Sequence, residues 1–260
     1  MKAWILAISM VLASMASSAP ALASNTPLPA VNAQSFRDPN SLSAAYFKLA
    51  HYGHLISQMD PRLRQRGLVL PNGGLCVTAS FANLTLSLIS NLGLPIQSSK
   101  LDQMVDVYVK FYRENYKADA RLGAYVHRFS RVFESLSRTL TQAGVPVETS
   151  TQHYASVPDA LTIYHAIIDP QSLIIATVQF KKRSARMAND LHAVVVLDID
   201  PVNQLILVSD PNRPHHVFYS KYRESAQGVT FEIFPIFGEP VAEVVVTKMD
   251  HFRYRKKPRY

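Results

Sequence analysis

At Pro170 the hydrophobic pattern of the chain changes period, and this change limits the fold more than any other feature of the sequence. Before it, apolar residues recur at helical spacing in long segments. After it they fall in short runs rich in β-branched and aromatic residues. Helices first and strands second predict an α+β domain. Apolar residues make up 48% of the chain, ample material for one core, and a single cysteine, Cys76, leaves no partner for an intrachain disulfide.

Helical spacing runs from Ser43 to Met59, where Asp60-Pro61 ends it, and a loop from Arg62 to Leu75 follows. A second helix is expected from Cys76 to about Ser90, with Val77, Phe81, Leu84 and Leu88 on one side. Further helices are expected from Lys100 to Tyr116, from about Leu122 to Gln142, and from a Ser156 cap through Ile168. The strand-like segments are Leu173–Phe180, His192–Ile199, Gln204–Ser209, His216–Tyr222, Val229–Phe234 and Val241–Lys248. The domain therefore reads as 43–250, with helices over 43–170 and an antiparallel β-lobe over 171–250.

Residues 1–23 have the form of a secretory signal peptide. Lys2 precedes an apolar run from Ala3 to Ala16, and Ala21-Leu22-Ala23 has the small-x-small cleavage pattern. The run is too short and wrongly flanked for a membrane span. The sequence thus predicts an exported protein, periplasmic or secreted, with a flexible lead-in over 24–42. The full chain's formal charge of +8 and the basic tail over 251–260 suit an anionic envelope surface. No aromatic-basic RNA motif, zinc finger or heptad array points to nucleic acid.

Cys76 follows the turn Asn72-Gly73-Gly74 and opens a predicted helix. A thiol at a helix N-terminus meets the positive end of the helix dipole, which favours the nucleophilic thiolate. The segment 190–212 reads as strand, turn, strand, with the turn near Pro201 and Val202, so position 192 should face a residue close to 211. His192 at the open end of one strand then lies beside Asp210 at the end of the next, within the reach of cross-strand or diagonal neighbours. A carboxylate there fixes the imidazole tautomer and leaves the other ring nitrogen to act on a thiol.

The ordered set Cys76, His192, Asp210 resembles the papain-like cysteine peptidases, and within them the branch related to the double-glycine (bacteriocin-processing) peptidases. The resemblance is carried by the Cys76 turn, by His192-Ala193-Val194-Val195-Val196, and by Asp210-Pro211. It implies a papain-like α+β fold with the site between a helical lobe and a β-lobe. It also implies a cysteine peptidase acting on a peptide or protein through a Cys76–His192–Asp210 triad, with no metal or organic cofactor. The family's oxyanion-hole glutamine usually sits about six residues before the cysteine, where this chain has Leu70. Asn72 is the candidate replacement donor, and Gln65 is the other nearby amide. Two alternatives stay open: a transglutaminase-type acyltransferase, whose interval between Cys and His is usually shorter than that from 76 to 192, and a catalytically silent papain-like binding module of the envelope.

The remaining candidates carry less. His51 and His54 share a predicted helix face without further ligands, and His215 and His216 are adjacent and diverge in a strand. Asn83-Leu84-Thr85 matches a glycosylation acceptor but falls inside a predicted helix, and no hydrolase elbow surrounds Ser184, Ser209 or Ser220. The signal reading predicts that the exported protein begins at Ser24. Intact-mass measurement of the exported product checks this, and a membrane-bound product retaining Met1 would show an anchor instead.

Overall fold

The computed structural model describes residues 56–68, 74–92, 94, 101–119, 121, 123–142, 144–169, 171–182, 190–212, 217–233 and 241–257. The predicted helix over 43–59 lies outside them except for its last four residues. Those four are not helical: the chain turns at Gln58 and Met59. Asp60, expected to end a helix, begins one. Its carboxylate accepts from the Arg62 N–H at 2.9 Å and caps the short helix α1 (Pro61–Gln65), with Pro61 at a first-turn position that needs no N–H.

Helices α2 (Cys76–Asn91) and α3 (Leu101–Tyr116) match the periodicity closely. The next segment starts later than expected. Gly123 takes a positive φ of 136° and Tyr125 is extended, so a 3₁₀ turn (Val126–Phe129) leads into α4 (Ser130–Gln142). Helix α5 (Ala160–Ile167) is capped by the Asp159 carboxylate, which accepts from the Thr162 N–H at 2.7 Å; Ser156 lies outside it.

The strands are β1 (Val147–Tyr154), β2 (Ser172–Phe180), β3 (Leu191–Asp200), β4 (Leu205–Ser209), β5 (Val217–Ser225), β6 (Gly228–Ile233) and β7 (Ala242–Lys256). The sheet is antiparallel in order β1-β7-β2-β3-β4-β5-β6, and β6 also pairs with the start of β7. That extra pairing closes β7, β2, β3, β4, β5 and β6 into a ring and leaves β1 on the far half of β7. The fold is α+β.

Closure separates two cores by strand alternation. Ile174, Ala176, Val178, Val194, Val196, Val208, Phe231 and Val246 face one side, and α5 adds Ala160, Ile163, Ala166 and Ile167 to them. Leu173, Ile175, Ala193, Val195 and Phe252 face the other, where the helices pack. Helix α2 lies between sheet and helices, and its side chains from Val77 to Ile89 are buried on every face. The single apolar stripe expected from sequence is therefore an incomplete description. The polar residues of α2 meet this burial by bonding locally: Thr78, Thr85 and Ser87 donate to the carbonyls of Leu75, Phe81 and Asn83. Asn83 accepts from the Ile56 N–H and donates to the Ile56 carbonyl, which occupies the side chain that the glycosylation pattern would need exposed.

Two corrections follow for the chain ends of the β-lobe. Strand β1 lies within the stretch read as helical. It is polar and mostly exposed on alternate positions, so its strand character depends on pairing with β7 rather than on an apolar run. Its partner includes most of the expected basic tail: residues 251–256 continue β7 and pair with 147–152. Within that stretch Phe252 is buried and sits 5.6 Å from Phe81 and 5.1 Å from Phe133, ring centre to ring centre. Phe81 also meets Tyr108 and Phe129 at 5.0 Å, so one aromatic cluster joins α2, α3, the 3₁₀ turn, α4 and β7. A solvated tail would tolerate Phe252→Ala. As a core residue it should cost about 3–5 kcal/mol, read from the urea midpoint, with a change below about 0.5 kcal/mol returning these residues to a tail.

Candidate active site

Cys76 is the first residue of α2 and, unlike the rest of its first turn, is only partly buried. Gly74 sets the approach with a φ of 122°, a conformation that side-chain-bearing residues rarely adopt. The Ala79 N–H then donates to the Leu75 carbonyl at 2.8 Å, starting the helical ladder. Ser80, one turn on, donates to the Ala193 carbonyl at 3.3 Å, pinning the helix to β3 beside His192.

His192 is the second residue of β3 and is buried, as is Asp210 just past the end of β4. Their union depends on a β-bulge. Between Asp200↔Leu205 and Val195↔Ser209 the register slips by one residue at Val196/Asp198. Extending the shifted register places 210 opposite 194, on the same face of the sheet as 192. Without the slip 210 would stand opposite 195 and point to the other face. The expected pairing of 192 with about 211 is thus corrected to 212, and the carboxylate reaches the imidazole diagonally. His192 Nε2 and Asp210 Oδ1 are 2.8 Å apart.

The thiol completes the set: the Cys76 side chain lies near enough to the His192 imidazole to help raise its pKa, and both side chains line one cavity. With Nε2 engaged by the carboxylate, Nδ1 is the ring nitrogen left for sulfur. Burial alone would push the His192 pKa down. The charge of Asp210, its hydrogen bond and the nearby Cys76 outweigh burial and raise it to about 10. The imidazole is therefore held as a cation at neutral pH, between two groups that bear or develop negative charge.

Sequence reading missed the support behind this pair. The Asn212 N–H donates to Asp210 Oδ1 at 2.8 Å, and its side-chain nitrogen lies 3.4 Å from His192 Nε2. Gln58 donates its side-chain amide to Asn212 Oδ1, and the Gln58 N–H donates to the Pro211 carbonyl at 2.8 Å. Ser57 Oγ donates to the Asn212 carbonyl at 3.2 Å. Nothing local marks Asn212 or residues 57 and 58 for this role, since it exists only across the fold.

Cys76 and His192 open on a cavity of about 530 Å³. Its lining comes from the α2 N-terminus, the 123–127 segment and the strands β1, β2, β3 and β7. Asn72 and Leu70 lie outside the described residues, as do His51, His54, Ser184, His215 and His216. Gln65 is exposed on α1 and takes no part in the lining. Gln179 lines the cavity, with its Nε2 donating to Asp190 Oδ2 at 3.1 Å. Ser209 and Ser220 are buried and stand outside it. Among the described residues no three His, Cys, Asp or Glu side chains are grouped to hold a metal ion, and no helix is long and apolar enough to cross a membrane.

Comparison of the chain with protein-family models gives no match, and comparison with curated proteins gives none.

The raised His192 pKa has a consequence for stability. A group whose folded pKa exceeds its unfolded value contributes stability fully present below the unfolded value, here 6.5, and lost as pH rises through about 10. Urea midpoints should therefore fall between pH 7 and 10 in the wild type. The fall should be shallower in Asp210→Asn, which lacks the charge that raises the imidazole. Equal slopes in the two proteins would mean that the carboxylate does not hold the proton on His192.

Proposed function

We propose that this chain is an exported thiol-dependent hydrolase of papain-like arrangement, most simply a cysteine peptidase. One observation carries the reading: a buried imidazole bonded to Asp210 through one nitrogen shares a cavity wall with the thiol at the head of a helix, near enough for the thiol to affect its pKa. A thiol heading a buried helix, facing a histidine borne by an antiparallel sheet, is what the papain-like resemblance led us to expect. The export assignment rests on the sequence of residues 1–23.

In this mechanism the Cys76 thiolate attacks the carbonyl carbon of an amide. The His192 imidazolium gives its proton to the departing nitrogen as the C–N bond breaks, leaving a thioester on sulfur. Neutral His192 then takes a proton from water. The hydroxide adds to the thioester, the C–S bond breaks, and the acid leaves with thiolate and imidazolium restored. Asp210 orients His192 and stabilises its charged form throughout. The tetrahedral oxyanion meets the N-terminal N–H groups of α2, and Asn72 is the side chain proposed to add a second donor.

Groups that act as one unit lose function non-additively. Cys76→Ala and His192→Ala should each abolish turnover of a peptide substrate, and the double variant should be little worse than either. Asp210→Asn should retain a weak residue of activity. Without a known substrate, iodoacetamide labelling at pH 6 is the first measurement, and Cys76 should react faster than free cysteine. Labelling no faster than free cysteine would favour the silent binding module, while transfer of the acyl group to an added amine in preference to water would favour an acyltransferase.

A further inference from the structure

Part of the cavity rim carries a second group of titratable side chains that the thiol chemistry does not use. His127 comes from the 3₁₀ turn, His153 from β1, and Lys248 and Asp250 from β7, and all four line the same cavity as Cys76 and His192. The two imidazole rings lie 4.9 Å apart, centre to centre. His153 Nδ1 is 2.8 Å from Asp250 Oδ1, which orients the ring and leaves Nε2 unengaged by that pair. We propose that His127, His153 and Lys248 form a subsite that binds a carboxylate group of the substrate.

The charge balance of the rim supports this. Among the described residues two acids line the cavity, and both are occupied: Asp250 by His153, and Asp190 by the Gln179 amide at 3.1 Å. Burial raises the Asp250 pKa, which weakens its negative field further. His127 reports the local potential. Burial lowers its pKa first, and the proximity of His153, Arg128 and Lys248 lowers it again. A field that repels a proton from His127 attracts an anion to the same place. The groups facing His127 are thus His153 from β1, Lys248 and Asp250 from β7, and Arg128 and the Tyr125 ring from its own segment, the ring centre 5.8 Å away. The cavity is of a size that takes a drug-sized ligand, and Cys76 and this rim line it together, so one substrate can present a carbonyl to the thiol and a carboxylate to the rim.

The subsite rests on the thiol-hydrolase reading only in naming the ligand as substrate, so its test measures binding without turnover. The full chain carrying Cys76→Ala is titrated by NMR of the histidine rings, with the His127 signal identified by its loss in His127→Ala. Three probes are compared: N-acetylglutamate α-amide presents a side-chain carboxylate, N-acetylglutamine a chain-end carboxylate, and N-acetylglutamine amide none. At least one carboxylate probe should raise the His127 midpoint by about half a unit or more, because a bound anion favours the imidazolium. The uncharged probe should leave it in place. Whichever carboxylate acts identifies the substrate as an acidic residue or a free chain end. Lys248→Ala should weaken the acting probe about threefold or more, and Lys248→Arg should restore it. No shift with either carboxylate, or an equal shift with the uncharged probe, overturns the subsite even if Cys76 proves reactive. A shift in a protein whose thiol proves inert leaves the subsite standing and removes only the hydrolase.

Discussion

Burial of α2 on all sides governs the rest of the molecule. A helix without a solvent face must find partners for each polar side chain, and α2 does so through its own carbonyls, Ile56 and β3. It must also be enclosed by other elements, which is the work of the aromatic cluster around Phe81. The consequence for function is positional. A helix locked in this way cannot rotate or slide without breaking packing on several fronts at once, and its first residue emerges at the cavity. Cys76 is therefore placed by the core rather than by the loop that precedes it.

The histidine is placed by different means. His192 lies near the start of a strand in a closed ring of strands, paired with Val178 of β2, while β4 pairs with the same strand from Val195 onward. Closure also ties the two halves of the site together, because β7 pairs with β6, β2 and β1 while Phe252 reaches the helical core. The Ser80 bond to the Ala193 carbonyl then sets helix against strand one residue from the imidazole. Thiol and imidazole come to one cavity wall because helix and strand share this contact.

A buried cation beside a buried carboxylate is costly unless both are well bonded. Here Asp210 Oδ1 accepts from the imidazole and from the Asn212 N–H, while Oδ2 is buried with no hydrogen-bond partner among the described residues, so the carboxylate is bonded through one oxygen. Asn212 is in turn held by Gln58 and Ser57. The segment before α1 thus braces the turn after β4 from across the fold. The same bonds that offset the burial cost keep the imidazole charged, so the stability of this region and the chemistry proposed for it share one set of contacts.

The sequence by itself determined the α+β class, the α2 and α3 spans, most strands after residue 170, and Cys76, His192 and Asp210 as the residues to examine. Each of these follows from local period, turn residues or spacing, which a linear reading can reach. Strand β1 did not, because its polar alternation becomes a strand only when β7 lies beside it. The basic stretch after Asp250 looked like a tail for the same reason: its charges are local, whereas the packing of Phe252 is not. Tertiary structure alone decided that His192 and Asp210 share a face. A slip of one residue in the β3–β4 pairing moves a side chain to the opposite side of a sheet, and no residue in 190–212 announces where the bulge will fall. The bracing by Gln58 and the basic rim at His127, His153 and Lys248 were likewise decided by the fold, since each joins residues that only long-range packing brings together.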